Sequence, residues 1–248
     1  VRVVRNIGWI ERRKKTGRFM VFAGLVFLAS AFLLTFYRNE ILLSYVGLIL
    51  GFLTFNGGMQ QVARWSRKPR TDEVLDHMLS KLNDRFAIVH YPAIGGRRPD
   101  HVIVTPGGVL ALTPREVGGV VTLDGRRWKR SALKQIFNLG GPQLGNPSIE
   151  NESQVATLEA LFEEADIDVD VQGAVVFVHP DVEIEMRNPE TEVIHVHELY
   201  DYVRSLTSEG TTLTSDERNK IVSVLSTGER IEEVGAPTRR PRKKVKAA

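Results

Sequence analysis

Residues 19–37, FMVFAGLVFLASAFLLTFY, contain no charged side chain. As a helix rising about 1.5 Å per residue, they would reach roughly 28 Å, close to the thickness of a bilayer core. That length constrains the chain more than any other feature, and it reads as a membrane-spanning helix. A secretory leader is the competing reading, but its apolar core would be shorter and would end at a small-residue cleavage site. Here a second apolar run, ILLSYVGLILGFLTF (41–55), follows Arg38, Asn39 and Glu40, and charge does not return until Arg64. The two runs predict a helical hairpin over 19–63 with a very short outer turn.

Seven cations precede the hairpin (Arg2, Arg5, Arg12, Arg13, Lys14, Lys15, Arg18) and four follow it (Arg64, Arg67, Lys68, Arg70). An excess of Lys and Arg marks the cytoplasmic side of a membrane segment, so both flanks, and with them both termini, are expected there. The expectation is a multi-pass protein of the cell membrane, with the lipid bilayer as its first partner. The stretches 1–18 and 64–71 read as a basic N-terminus and a basic linker. Gly47 and Gly51 form a GxxxG pair that would let the two helices approach closely, or let two copies of the chain form a homo-oligomer. Glycine is also simply common in membrane helices. Trp9 and Trp65 bracket the hairpin at interfacial positions.

The net charge of +3 over 248 residues conceals a segregated pattern. Residues 1–70 carry +10, 71–235 carry −13, and 236–248 carry +6. This excludes a uniformly basic nucleic-acid coat protein, and 42% hydrophobic residues exclude wholesale disorder. The absence of cysteine excludes disulfides, thiolate zinc sites and a cysteine nucleophile. The last segment, APTRRPRKKVKAA, has no apolar face and reads as a disordered polybasic tail suited to anionic lipid, RNA or an acidic partner surface.

Between these ends, 72–235 reads as one α/β domain. Thr71 is the expected N-cap of a helix over 72–83, with Val74, Leu75, Met78, Leu79 and Leu82 on one face. Runs rich in β-branched residues follow at 86–91, 101–105, 109–112 and 120–123, separated by Gly- and Pro-containing turns, which predicts an antiparallel meander. A helix is expected over about 151–165. The doubly apolar run VQGAVVFVH (171–179) suits a central strand, and EVIHV (192–196) a further one. Helices follow at about 197–206 and 215–227, the last opened by the capping-box pair Thr214 and Glu217. The fold class is α/β, a sandwich with a mixed sheet behind a two-helix membrane hairpin.

Four stretches resemble the nuclease-related domain (NERD) family, which is similar to the PD-(D/E)xK nucleases with their restriction-endonuclease-like fold. Glu73 lies where the family has a helical glutamate. PDHVIVTPGGVLAL (99–112) resembles its central hairpin, with Asp100 as the acid. GGVV (118–121) follows, and NPSIENESQVATLEAL (146–161) resembles its Asn-Pro segment. The resemblance implies metal-dependent phosphodiester cleavage, in which carboxylates gather on a divalent cation that activates water, with a lysine beside it. It would assign Glu73 and Asp100 as metal ligands. The family's Glu-x-Lys signature, however, falls on Thr113 and Arg115. A hydroxyl in place of a carboxylate weakens a hard-cation site, and arginine does not release a proton near neutrality. Pro114 between them favours an edge or a bulge, and Glu150 stands where the family usually has glutamine. The expectation is a fold retained and its catalysis lost, with no cofactor. The alternative is a Mg²⁺-dependent nuclease with a relocated carboxylate, Glu116 being nearest.

Arg97, Arg98, Arg126, Arg127, Lys129 and Arg130, with Trp128 among them, form a candidate nucleic-acid patch. The competing reading, which is favoured, is a solvated hairpin whose cations balance the −16 of residues 135–235. His195 and His197 alternate near a strand end without a convincing third ligand. The function expected is a membrane-tethered binding or assembly module, with the acidic half facing a basic protein partner.

Overall fold

The computed structural model describes residues 1–37, 41–94, 98–131, 143–206, 212–226 and 230–235. Arg97, the outer turn of the hairpin and the polybasic tail lie outside the described residues.

Two long helices, α1 (Ile7–Tyr37) and α2 (Ile41–Ser66), are both long and apolar enough to cross a membrane. Their interface is built on small residues at seven-residue intervals. The buried positions are Ile10, Gly17, Gly24 and Ala31 on α1, and Ser44, Gly51, Gly58 and Trp65 on α2. A strict seven-residue repeat keeps one seam facing the partner helix, and side chains this small let two backbones approach closely. A Cβ on Gly24 would stand 2.5 Å from the Phe55 backbone nitrogen, and one on Gly58 would stand 2.6 Å from that of Val21. Gly47 and Gly51 belong to the same seam: they face Ala31 and Leu28 of the same chain. Of the two contacts expected of this pair, the one between the two helices of a single chain is present.

The first correction to the sequence reading lies at the N-terminus. Arg2–Asn6 is not a loose basic stretch but strand β1, which runs straight into α1. It pairs in parallel with β2 (Ala87–His90) and antiparallel with β10 (Ile231–Val234). Arg2 and Arg5 on β1 meet Glu233 and Glu232 on β10, so opposite charges hold an edge that buried apolar surface does not.

The sheet continues through β3 (His101–Thr105), β4 (Gly108–Arg115), β7 (Val171–Phe177) and β9 (Glu192–His195), in the order β10-β1-β2-β3-β4-β7-β9. It is mixed, since β4, β7 and β9 run parallel and β2, β3 and β4 antiparallel. Helices cover both faces. Against one pack α4 (Pro147–Glu164) and α6 (Ser215–Leu225), through Leu158, Phe162, Ile221 and Leu225. Against the other pack α3 (Thr71–Leu79) and α5 (Leu199–Ser205), through Leu75, Leu79, Leu199 and Val203.

The expected meander holds only through β4. The next strand, β5 (Gly119–Asp124), leaves for a second sheet, between β6 (Arg127–Arg130) and a parallel strand β8 (Val182–Arg187). Pro114 lies beyond Leu112, the last residue of β4 paired to β3, so on that side β4 is an edge there.

Candidate functional site

The cleft lies where β3 begins and β4 ends, beneath the foot of the hairpin. Helix α2 contributes Gln60, Ala63, Arg64 and Trp65 to it, and Arg67 follows just beyond its end. The domain contributes Asp100, His101, Arg115, Glu116 and Glu150, enclosing about 390 Å³. Three acids thus share one cleft, and each is already engaged. Asp100 Oδ2 accepts from Arg64 Nη2 at 2.5 Å. Glu116 accepts from the Thr71 hydroxyl, and Glu150 pairs with Arg115. Burial pushes the Asp100 carboxyl above its ordinary pKa, and the Arg64 charge opposes that shift.

Glu73, the expected helical ligand, lines neither cavity to which Asp100 contributes. It caps its own helix: Arg70, not Thr71, is the N-cap residue, and its backbone N–H donates to Glu73 Oε2 at 3.1 Å. An acid one turn into a helix, with an open backbone donor behind it, satisfies that donor. Among the described residues no three His, Asp or Glu side chains are placed to hold one metal ion. The three acids of the cleft are each tied to a separate partner, Asp100 to Arg64, Glu116 to Thr71 and Glu150 to Arg115.

Thr113 is fully buried and belongs to the structural core of the site. Its hydroxyl donates to Gln154 Oε1 at 2.8 Å and accepts from Asn151 Nδ2 at 2.9 Å. Asn151 also reaches the carbonyls of Ala111 at 3.2 Å and Ala174 at 3.3 Å, fastening α4 across β4 and β7. Gly173 leaves room for this amide, since a Cβ there would come within 2.0 Å of Asn151 Oδ1. Arg115 is equally occupied, donating through Nε to the Leu144 carbonyl at 2.9 Å.

Behind the cleft runs a buried polar chain absent from the sequence reading. Asp72 and Asp76, one turn apart on α3, both meet Arg5 of β1, and Arg70 donates twice to Asp72, at 2.8 and 2.9 Å. Burial pushes the Asp72 carboxyl up, but the Arg70 hydrogen bonds, with His90 and Arg5, hold it at about 2. Asp76 contacts His90 Nε2 at 2.8 Å, and His90 Nδ1 lies 2.7 Å from His101 Nδ1. The Tyr91 hydroxyl donates to Asp72 at 3.4 Å, and its ring packs 5.1 Å from that of Trp65 on α2. Tyr91 adopts φ 56°, in the left-handed region, which a bulky side chain occupies only under tertiary constraint. The sequence signal for this chain was the i, i+4 spacing of Asp72 and Asp76 ahead of two histidines on paired strands.

The candidate basic patch disperses. Arg126 pairs with Glu152 and Glu190, both from the acidic half. Arg127 and Lys129 are exposed on β6, and Arg130 donates to the Gly118 carbonyl at 3.1 Å. Trp128 donates to Ser148 Oγ at 2.8 Å and packs 5.8 Å from Phe177, so its indole is spent joining the small sheet to α4 and β7. Arg98 lies apart from these, over the Trp9 ring at 3.3 Å. His195 and His197 stack on each other with ring centroids 4.8 Å apart.

A mixed sheet covered by helices on both faces, with an aspartate at the mouth of its central hairpin, defines a nuclease-like α/β module. Residues 67–178 match the model of the nuclease-related domain, so this part of the chain is similar to that family. No curated protein and no solved structure matches the chain.

Proposed function

We propose that the protein is a membrane-anchored nuclease-like module that binds rather than cleaves. The observation that carries this reading is the fate of the family positions. Asp100 faces the stalk arginine Arg64, Glu73 caps its helix, and Thr113 is locked into the Asn151 and Gln154 amides. Cleavage by this class requires carboxylates on one cation, and a set engaged in this way offers none. The hairpin is the anchor, with the cations on its flanks holding both termini in the cytoplasm. The acidic half, through α4 and β8, is the surface for a basic partner protein, and nucleic acid is not the favoured ligand. Resistance to alkaline carbonate extraction, with cysteines introduced after Ser66 reacting only from the cytoplasmic side, would support the anchor. Extraction as a peripheral protein would sink it.

The alternative, a Mg²⁺-dependent nuclease using a relocated acid, draws on Glu116, which shares the cleft with Asp100. Incubating the full chain with plasmid and single-stranded DNA in Mg²⁺ or Mn²⁺ decides between them. Cleavage that disappears in Asp100→Ala would replace the binding reading with the enzymatic one.

A further inference from the structure

A second cavity, of about 600 Å³, opens beside the first between the foot of the hairpin and the domain. Arg13 and Arg64 reach it from the helices and Arg98 from the domain, with Trp9, Gln61 and Asn146 completing the parts that matter here. We propose that this cavity binds the phosphate of an anionic phospholipid headgroup, held by Arg13 and Arg98 against Trp9.

Charge accounting gives the first support. Arg64 is matched by Asp100, and Glu150 by Arg115, whereas Arg13 and Arg98 have no carboxylate partner among the described residues. Asp100 and Glu150 line the same cavity but are engaged by Arg64 and Arg115, which leaves two guanidiniums there without a salt bridge. Both lie over one indole, at 4.3 and 3.3 Å from the Trp9 ring centre, which fixes their planes and leaves their edges for a ligand. Arg13 Nε is buried with no hydrogen-bond partner, a costly arrangement that an anionic oxygen relieves. Burial lowers the Arg98 pKa, the Asp100 charge opposes that shift, and the neighbouring Arg13 charge adds to it.

Depth gives the second support. Arg13 precedes Phe19 by six residues on α1, and Arg64 follows Met59 by five on α2. At about 1.5 Å per residue both stand roughly 8–9 Å outside the apolar band, at the outer edge of the headgroup layer. A forked guanidinium pair at that depth meets lipid phosphates before anything else. A nucleic-acid strand entering the same cavity would approach an anionic leaflet that repels it. The inference rests on the hairpin being the membrane anchor.

The test uses the full chain in nonionic detergent, titrated with dihexanoyl phosphatidylglycerol, dihexanoyl phosphatidylcholine, glycerol phosphate and a single-stranded oligonucleotide. Tryptophan fluorescence reads binding, and Trp9→Phe locates the signal. We expect saturable binding of phosphatidylglycerol, weaker binding of the other three, and a loss of about tenfold in affinity for each of Arg13→Gln and Arg98→Gln. Arg98→Lys, which keeps the charge but not the fork, falls between. Lys15→Gln and Arg18→Gln, outside the cavity, leave the affinity unchanged, and thermal melts verify that every variant is folded. Equal affinity for the two lipids overturns the proposal, as do folded Arg13 and Arg98 variants that bind like wild type. Glycerol phosphate binding as tightly as the lipid reassigns the site to soluble phosphate, and tighter oligonucleotide binding reassigns it to nucleic acid; either overturns the lipid assignment. Because the titration is done in detergent, its failure with carbonate resistance intact sinks this inference alone.

Discussion

Arg64, near the C-terminal end of the second long helix, places Nη2 2.5 Å from Oδ2 of Asp100, the acid at the mouth of the central hairpin. The acid that the family resemblance singles out is thus paired with a residue of the hairpin, and the two parts of the chain share one ion pair at the cleft. Removing the arginine separates two explanations for an idle site. If Arg64 were a latch on a competent nuclease, Arg64→Ala would cleave. We expect it not to, because Glu116 and Glu150 remain tied to Thr71 and Arg115, and burial still favours the neutral form of the Asp100 carboxyl. The pair is partly exposed, so its loss should cost only about 1 kcal/mol in thermal or denaturant unfolding. Metal-dependent cleavage by this variant would overturn the inactive reading.

Asn151 supplies a sharper stability test. Its amide nitrogen lies within hydrogen-bond reach of the Ala111 and Ala174 carbonyls and the Thr113 hydroxyl, sharing two N–H donors among them. Asn151→Leu removes these contacts between the helix and the strands and should destabilise the domain by about 1–3 kcal/mol. Gly173→Ala should show a comparable loss, since the new methyl group meets the same amide. Equilibrium unfolding of either variant at wild-type stability would show that the helix is not fastened to the strands in this way.

Legibility in the sequence tracked contrast between residue types. Strand β3 and the Thr214 cap were plain because branched apolar runs or capping pairs stand out from polar neighbours. Strands β1, β8 and β10 were missed because charged residues alternate through them and, for β1 and β10, the partners lie at opposite ends of the chain. The repeat of Gly17, Gly24 and Ala31 was invisible for the opposite reason. Within a uniformly apolar band only residue size distinguishes the packed face, and hydropathy does not register size. At the site, the resemblance located Asp100 and Thr113 in sequence but could not show that Glu73 turns back on its own helix, because capping geometry depends on a single backbone donor. Arg64 was read only as a topological charge, since nothing in the sequence links it to an acid 36 residues later.

The small-residue seam can be tested directly, because the chain has no cysteine of its own. A Cβ on Gly47 would stand 2.9 Å from that of Ala31, close enough that a modest relaxation reaches disulfide geometry. Ala31→Cys combined with Gly47→Cys should therefore oxidise within one chain and run as a monomer under denaturing, non-reducing conditions. A covalent dimer would mean that this face meets a second copy instead. Gly24→Leu, driven into the Phe55 backbone, should destabilise the hairpin by about 1–3 kcal/mol.

The buried histidine pair predicts a pH dependence with a defined sign. Burial, then the neighbouring His90, holds the His101 imidazole well below its usual 6.5, so it stays neutral in the folded protein. As pH falls through about 6.5 the unfolded chain takes up a proton that the folded chain does not, and stability declines with acidification. Asp72 acts in a separate window. Its stabilising contribution is complete above its ordinary 3.8 and is lost only as pH falls through about 2. The melting temperature of the full chain in detergent should therefore drop between about pH 7 and pH 5. His101→Gln should start lower, having lost the partner of His90, and then fall less across the same interval. An equally steep fall in that variant would assign the acid sensitivity to a different group and remove His101 from the account.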